Sequence, residues 1–144
     1  MRIENRKARF DYEVVDTLEA GVILLGSEVK AIKAGQVSLD GSRVVENGGK
    51  LYVLGMQVPE YKFSHIEGYD PMRTKEILIR RSEKLDLATK KVSSGLTLVP
   101  LSVYNKGSLI KLEIGLVRGK KKYEKREEMK KKAINKELAK RLKQ

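Results

Sequence analysis

Through most of its first 117 positions the chain alternates apolar with polar residues, the period of a half-buried strand. Phe10, Tyr12 and Val14 alternate with Asp11 and Glu13, and a short apolar run, Val22-Ile23-Leu24-Leu25, sits between Gly21 and Gly26. Arg43-Val44-Val45-Glu46 and Leu51-Tyr52-Val53-Leu54 flank Asn47-Gly48-Gly49-Lys50, residues tolerant of positive φ, and the pattern predicts a hairpin. Leu96-Thr97-Leu98-Val99 leads through Pro100 into Leu101-Ser102-Val103-Tyr104. After the Asn105-Lys106-Gly107-Ser108 turn comes the clearest alternation, with Ile110, Leu112, Ile114 and Leu116 on one face and Lys111 and Glu113 on the other.

Helical spacing interrupts these strands. Ser27 suits the N-cap of a helix over 28–34, with Val29 and Ile32 on one face and Gly35 as its stop. Leu85, Ala88 and Val92 repeat at helical spacing before Ser93-Ser94-Gly95. Between them, 72–81 contains Ile77-Leu78-Ile79, which periodicity alone assigns to neither helix nor strand. About six short strands with two or three flanking short helices predict a mainly β fold, a small antiparallel barrel, closed or partly closed so that its edges are covered.

The last residues follow another pattern. Met129, Ala133, Ile134, Leu138 and Leu142 form a narrow apolar stripe at helical spacing. Glu127 with Lys131, Glu128 with Lys132, and Glu137 with Arg141 are acid-before-base pairs, each worth about 0.3 kcal/mol to a helix. Like charges crowd Lys130-Lys131-Lys132 and nothing covers the stripe, so a tail that becomes helical when a polyanionic groove neutralises it is expected. The division is therefore a barrel over 1–117 and a tail over 118–144, with Gly119 as a joint.

Charge gives that division a meaning. The formal net charge is +12, and residues 118–144 carry thirteen Lys or Arg against four Glu, or +9. Such a density costs self-repulsion and marks an arm that seeks a polyanion. Nucleic acid fits this arm better than a membrane surface, because a surface-binding helix wants bulkier apolar residues than this thin, partly Ala stripe. Tyr123, flanked by cations, suits stacking on an unpaired base while its neighbours hold phosphates. The chain has no Cys, which excludes disulfides and thiolate metal sites. No apolar run approaches the roughly 20 residues of a membrane span, and the start lacks a signal-peptide core. A cytoplasmic, monomeric protein with no cofactor and no membrane partner is expected.

Enzymatic chemistry finds little support. His65 is the lone histidine, in a polar stretch, so neither a triad nor a metal cluster can form around it. The Gly48-Gly49 pair reads as a turn, not as a phosphate loop. Arg80-Arg81 and Lys90-Lys91 suit solvated faces better than contacts. Arg6-Lys7-Ala8-Arg9 enters the first strand, where phosphate contact and ordinary solubility are equally open.

Several segments, in order, resemble the small protein B family (SmpB, the SsrA-binding proteins). They are Asn5-Arg6-Lys7-Ala8, Glu19-Ala20-Gly21, Gly26-Ser27-Glu28-Val29-Lys30 and Asp70-Pro71-Met72-Arg73, then Thr97-Leu98-Val99-Pro100-Leu101 with Tyr104, Lys111, Gly119-Lys120-Lys121 and Lys125-Arg126. The resemblance implies an oligonucleotide-binding (OB-fold-like) barrel and a non-enzymatic RNA-binding adaptor for ribosome rescue, the process called trans-translation. Its partners would be transfer-messenger RNA (SsrA RNA), whose tRNA-like domain the body holds, and small-subunit ribosomal RNA, where the tail occupies the decoding centre and the empty mRNA channel. Alanyl-tRNA synthetase and elongation factor Tu would be indirect partners.

Carried onto matching positions, the body's RNA-related residues are Asn5, Arg6, Lys7, Glu19, Lys30, Lys33, Leu78 and Lys111. Asn5 and Lys33 are donors to oxygens, Lys111 is a phosphate-range cation, and ionised Glu19 accepts from amines or 2′-hydroxyls or positions a cation. Leu78 is an apolar platform or local core, and core is favoured by base rate. In the tail, Gly119, Lys120, Lys121, Tyr123, Glu124, Lys125 and Arg126 match the decoding-centre segment. The chain departs from the family at Glu124, where Asp is common, and at Tyr123, where some members have His. Thr74-Lys75-Glu76 stands where more cations are usual, and Glu76 puts a phosphate contact there in doubt. The residues alone also suit a generic barrel that binds single strands without preference.

Overall fold

The computed structural model describes residues 1–83, 95–120 and 122–142, with side chains from 125 onward in the last segment. Seven strands form one antiparallel sheet: β1 (Arg2–Glu4), β2 (Tyr12–Val22), β3 (Arg43–Asn47), β4 (Lys50–Leu54), β5 (Lys75–Leu78), β6 (Thr97–Lys106) and β7 (Leu109–Gly119). Their order is β1-β6-β7-β2-β5-β4-β3. The sheet curls until β3 lies beside β6, a small OB-fold-like barrel. The helices lying wholly within the described residues are α1 (Arg6–Asp11), α2 (Gly26–Lys33) and α3 (Lys122–Leu142).

Local chemistry explains the elements that follow the alternation. In the β3–β4 hairpin Asn47 pairs with Lys50, and Gly48 and Gly49 both take positive φ, the geometry a two-residue turn between twisted strands demands. Ile110, Leu112, Ile114 and Leu116 of β7 are buried, with Ala20, Val53 and Val103 among their neighbours in the core. Bulges in β2 near Val15 and in β6 at Leu101 bend the sheet toward closure. Leu101 presses on β7 where a residue with a Cβ cannot sit: one built on Gly115 would lie 2.6 Å from the Leu101 side chain.

Three expectations are corrected. Arg6-Lys7-Ala8-Arg9 and Phe10 form helix α1 rather than a strand, because Asn5 Oδ1 accepts the Ala8 N–H (3.1 Å) and starts a helical turn. Ser27 does not cap α2. The helix begins at Gly26, and the Glu28 carboxylate takes the Leu25 N–H (2.7 Å) while Ser27 Oγ is buried with no partner among the described residues. The apolar run over 22–25 leaves the sheet after Val22. The tail is helical over 122–142, the helix expected of its bound state. Glu137 and Arg141 meet at 3.5 Å as expected, but Glu128 pairs with Lys120, tying the helix start to the barrel.

Gly35 stops α2 as expected, at φ +81°, with Gly35 N–H donating to Ile32 and Gln36 N–H to Ala31. Lys75 to Leu78 resolve as strand β5. The helix expected around Leu85, Ala88 and Val92 lies outside the described residues.

Candidate nucleic-acid interface

Cross-strand register lines up side chains in rows on the outer face of the sheet. One row runs Arg2, Tyr104, Lys111, Gly21, Leu78, across β1, β6, β7, β2 and β5. The neighbouring row holds Glu4, Ser102, Glu113 and Glu19. Three residues expected at an RNA surface, Glu19, Leu78 and Lys111, therefore share one patch. Leu78 is 54% exposed and therefore not core, contrary to the base-rate expectation. Gly21 lies between Lys111 and Leu78, and a Cβ there would lie 3.8 Å from Lys111 Nζ and 3.6 Å from Leu78 Cβ. Its missing side chain leaves a shallow floor where a ligand can approach the backbone.

The patch is held in place by its neighbours. Tyr104 Oη donates to Glu19 Oε2 (2.5 Å) and Lys106 Nζ to Glu19 Oε1 (3.2 Å). These bonds favour the ionised form and hold the Glu19 carboxyl below the usual carboxylate range. Burial, then the bond to Glu19, push the Tyr104 hydroxyl up to about 12. The Arg2 guanidinium lies 4.9 Å from the centre of the Tyr104 ring and also pairs with Glu4 and Glu113, both at 2.8 Å. Arg9 bridges the same two carboxylates at 2.9 Å. Two guanidiniums thus neutralise two carboxylates at one edge, and Lys111 and Lys106 supply the positive charge beside them. Tyr104, Lys106 and Arg2 escaped residue-by-residue inspection because only the register brings them to Glu19.

Asn5 belongs elsewhere. It is 1% exposed, and its amide donates to the carbonyls of Pro100 (2.8 Å) and Leu39 (3.1 Å) while its oxygen caps α1. With the Asn5 N–H also donating to Leu101 (2.7 Å), it stitches α1 to the β6 bulge and has no donor left for RNA. Arg6 and Lys7 are exposed on α1, Arg6 at a cleft shared with Phe10, Lys131 and Lys132. Lys30 and Lys33 are exposed in the last turns of α2, where cations also favour the helix dipole. Neither belongs to the rows on the sheet.

The Asp70-Pro71-Met72-Arg73 segment serves the fold. Glu28 and Lys75 are fully buried, and Arg73 grips Glu28 with two bonds, 2.6 and 3.1 Å. Lys75 Nζ lies 3.7 Å from Glu28 Oε2 and donates to the carbonyls of Arg73 (2.7 Å) and Met56 (3.2 Å). Burial pushes the Glu28 carboxyl up, but the bonds from Arg73 and Leu25 and the Lys75 charge outweigh it and hold it low. Burial pushes the Lys75 amine down, against the attraction of Glu28. Glu76 lies 3.9 Å from Lys50 across β4 and β5.

At the other end of the β2–β7 ladder, Gly119 pairs with Tyr12 and the tail begins. Lys120 is largely covered, its side chain 11% exposed, with Nζ donating to the Arg9 carbonyl (3.0 Å) and pairing with Glu128. Lys125 lies 3.2 Å from Asp11, and Arg126 is exposed. Lys121 and the side chains of Tyr123 and Glu124 lie outside the described residues. Met129, Ile134, Leu138 and Leu142 are exposed along α3. Exposed His65 lies 3.3 Å from Glu60, and among the described residues no carboxylate–histidine group of metal-site size occurs. No described helix is long and apolar enough to cross a membrane.

Comparison with known proteins gives one answer. A family model described as SmpB protein matches residues 2–144. An SsrA-binding protein of Chlorobaculum tepidum is 42% identical over 137 residues, 94% of this chain and 87% of the relative. Those of Salinispora arenicola (45% identity, 94% and 85% covered) and Acetivibrio thermocellus (42%, 98% and 92%) are similar. Among solved structures, a chain from "tmRNA-SmpB: a journey to the center of the bacterial ribosome" superposes with a TM-score of 0.69 at 42% identity, covering 92% of this chain and 94% of that one.

Proposed function

The chain belongs to the SmpB protein family, and from that premise we propose that its two RNA-facing regions serve two different RNAs. It is an adaptor that binds transfer-messenger RNA in trans-translation on the ribosome. The outer-face patch of Glu19, Leu78, Gly21 and Lys111 holds the tRNA-like domain. Leu78 and the Gly21 floor receive a base or sugar, Lys111 takes a phosphate, and Glu19 accepts from an amine or 2′-hydroxyl. Arg6, Lys7, Lys30 and Lys33 add phosphate contacts around it. The tail, with Gly119, Lys120, Lys121, Tyr123, Glu124, Lys125 and Arg126 at its root, enters the decoding centre, and α3 follows the empty mRNA channel. The protein performs no turnover of its own. It works in the cytoplasm as a monomer, on an RNA that alanyl-tRNA synthetase charges and elongation factor Tu carries.

One observation carries this reading. The patch and the tail root occupy opposite ends of the same ladder, from Gly21 opposite Lys111 to Tyr12 opposite Gly119. Nine steps along β2 at about 3.3 Å each separate them by about 30 Å, too far for one nucleotide contact to serve both. The test compares affinity for transfer-messenger RNA and for an ordinary tRNA at one fixed salt concentration. Preference for the former is expected, whereas equal affinity would reduce the protein to a non-specific polycation.

A further inference from the structure

The tail helix is attached to the barrel by more than its chain connection. Beyond Gly119, Lys120 N–H donates to the Asp11 carbonyl (3.0 Å) and Lys120 Nζ to the Arg9 carbonyl (3.0 Å). These are carbonyls at the C-terminal end of α1, which lack helical partners and attract cations. One turn into α3, Lys125 reaches the Asp11 carboxylate at 3.2 Å and lies 5.9 Å from the centre of the Phe10 ring. Two turns further, Lys132 lies 5.4 Å from the same ring. Lys125, Glu128 and Lys132 are spaced i, i+3, i+7, so a single polar face of α3 meets α1. The apolar residues Ile134 and Leu138 project elsewhere and stay exposed. A helix collapsing onto the barrel from hydrophobicity would dock the other way round.

We infer that Phe10 and Asp11 are positioning residues that set the direction in which the tail helix leaves the barrel. The inference rests on the adaptor reading, in which the tail must find a channel while the body holds another RNA. A helix joined through Gly119 alone sweeps a wide cone. One that rests on Phe10 and Asp11 points along a single line and keeps its apolar side free for the channel. The contacts are partly exposed and individually weak, so Lys125 can exchange Asp11 for ribosomal phosphate on arrival.

The chain's lack of Cys permits clean double spin labelling through Glu46→Cys in β3 and Asn135→Cys in α3, both exposed positions. Electron–electron distance distributions are recorded on the full-length protein, alone and with Phe10→Leu plus Asp11→Asn. In the unlabelled counterparts, transfer-messenger RNA affinity and the rate of peptide tagging on stalled ribosomes are measured. One narrow distance maximum that broadens in the double variant is expected. Tagging should fall about fivefold, as the loss of such ion-pair and cation–π contacts implies, with RNA affinity unchanged. Phe10→Trp alone, which keeps a ring for the two lysines, should retain the narrow maximum and the rate. An unchanged distribution in the double variant overturns the inference, as does broadening with full tagging. If the parent protein itself supports no tagging, the adaptor reading fails, and the inference with it.

Discussion

The two ends of the β2–β7 ladder are built on different principles. At the Gly21 end, the carboxylates of the outer-face rows are already engaged: Glu19 by Tyr104 and Lys106, Glu113 and Glu4 by Arg2 and Arg9. Such a surface meets its ligand with little left to order, which favours recognition of one particular shape. At the Gly119 end, a cation-rich helix leans on two residues of α1 and exposes both its charge and its apolar stripe. That end can follow a polyanionic groove because so little of it is committed elsewhere. On the proposed function, one fold thus offers a preformed reader and a guided, adaptable arm, about 30 Å apart by strand rise.

The sharpest way to break this contrast is to delete residues 119–144. Tagging of stalled ribosomes should vanish, while affinity for transfer-messenger RNA at a fixed, moderate salt concentration stays within about threefold of the full chain, the residual change being long-range attraction by the lost +8 (twelve Lys or Arg against four Glu). Loss of all RNA affinity on truncation would mean that the body is no reader at all. Next in size is the frame beneath the reader. Replacing Glu28 by Ala strands Lys75 as a buried unpaired cation and should cost about 3–5 kcal/mol of folding stability, read by urea denaturation of the barrel. The acid limb should change too. Because Glu28 is held below its ordinary pKa, its contribution is complete above that value and is lost as pH falls through the lowered one. Glu28→Gln should therefore flatten the acid limb of a stability–pH curve, whereas helix content of α3, set by its own i,i+4 pairs, should not follow.

The same contrast decides what could be read from the residues alone. Alternation in β7 and the Gly48-Gly49 turn were legible because period and turn chemistry are local properties. Phe10 to Val14 alternate equally well, yet Phe10 and Asp11 are helix. There the deciding interaction is the Asn5 cap, anchored by carbonyls 34 and 95 residues away. Asn5 itself looked like an RNA donor for the same reason: its partners are distant in sequence. Leu78 looked like core, but register places it beside Gly21 on the outer face, a fact no window of neighbouring residues contains. Lys75 is a cation that reads as surface and is buried because Glu28, far away, is buried opposite it. The tail charge needed no fold to be noticed, but the polar face that rests on α1 did.

Smaller effects test whether the division of labour holds within single residues. Tyr123→Ala should leave capture of transfer-messenger RNA intact and slow the ribosomal step, by about tenfold if the ring stacks on a base, since such stacking is worth about 1–3 kcal/mol. Tyr123→Phe should restore the rate, because stacking needs the ring and not the hydroxyl. Equal impairment of both steps would assign Tyr123 to the body's RNA instead.

The smallest effect is the most diagnostic for the reader end. Lys111 stands in the row between Tyr104 and Gly21, with its ammonium beside the bare Gly21 backbone and within the field of Glu19. If it holds one phosphate, Lys111→Ala removes one released counterion. The plot of log affinity for transfer-messenger RNA against log salt should then lose a little under one unit of slope. Affinity at moderate salt should fall by about fivefold, as loss of one exposed charge contact implies. Tail charges contribute to the same slope only through long-range attraction, so the decrement should persist in protein lacking residues 119–144. If it disappears on truncation, Lys111 acts by steering the tail's RNA, and the two ends of the ladder are one electrostatic surface rather than two sites.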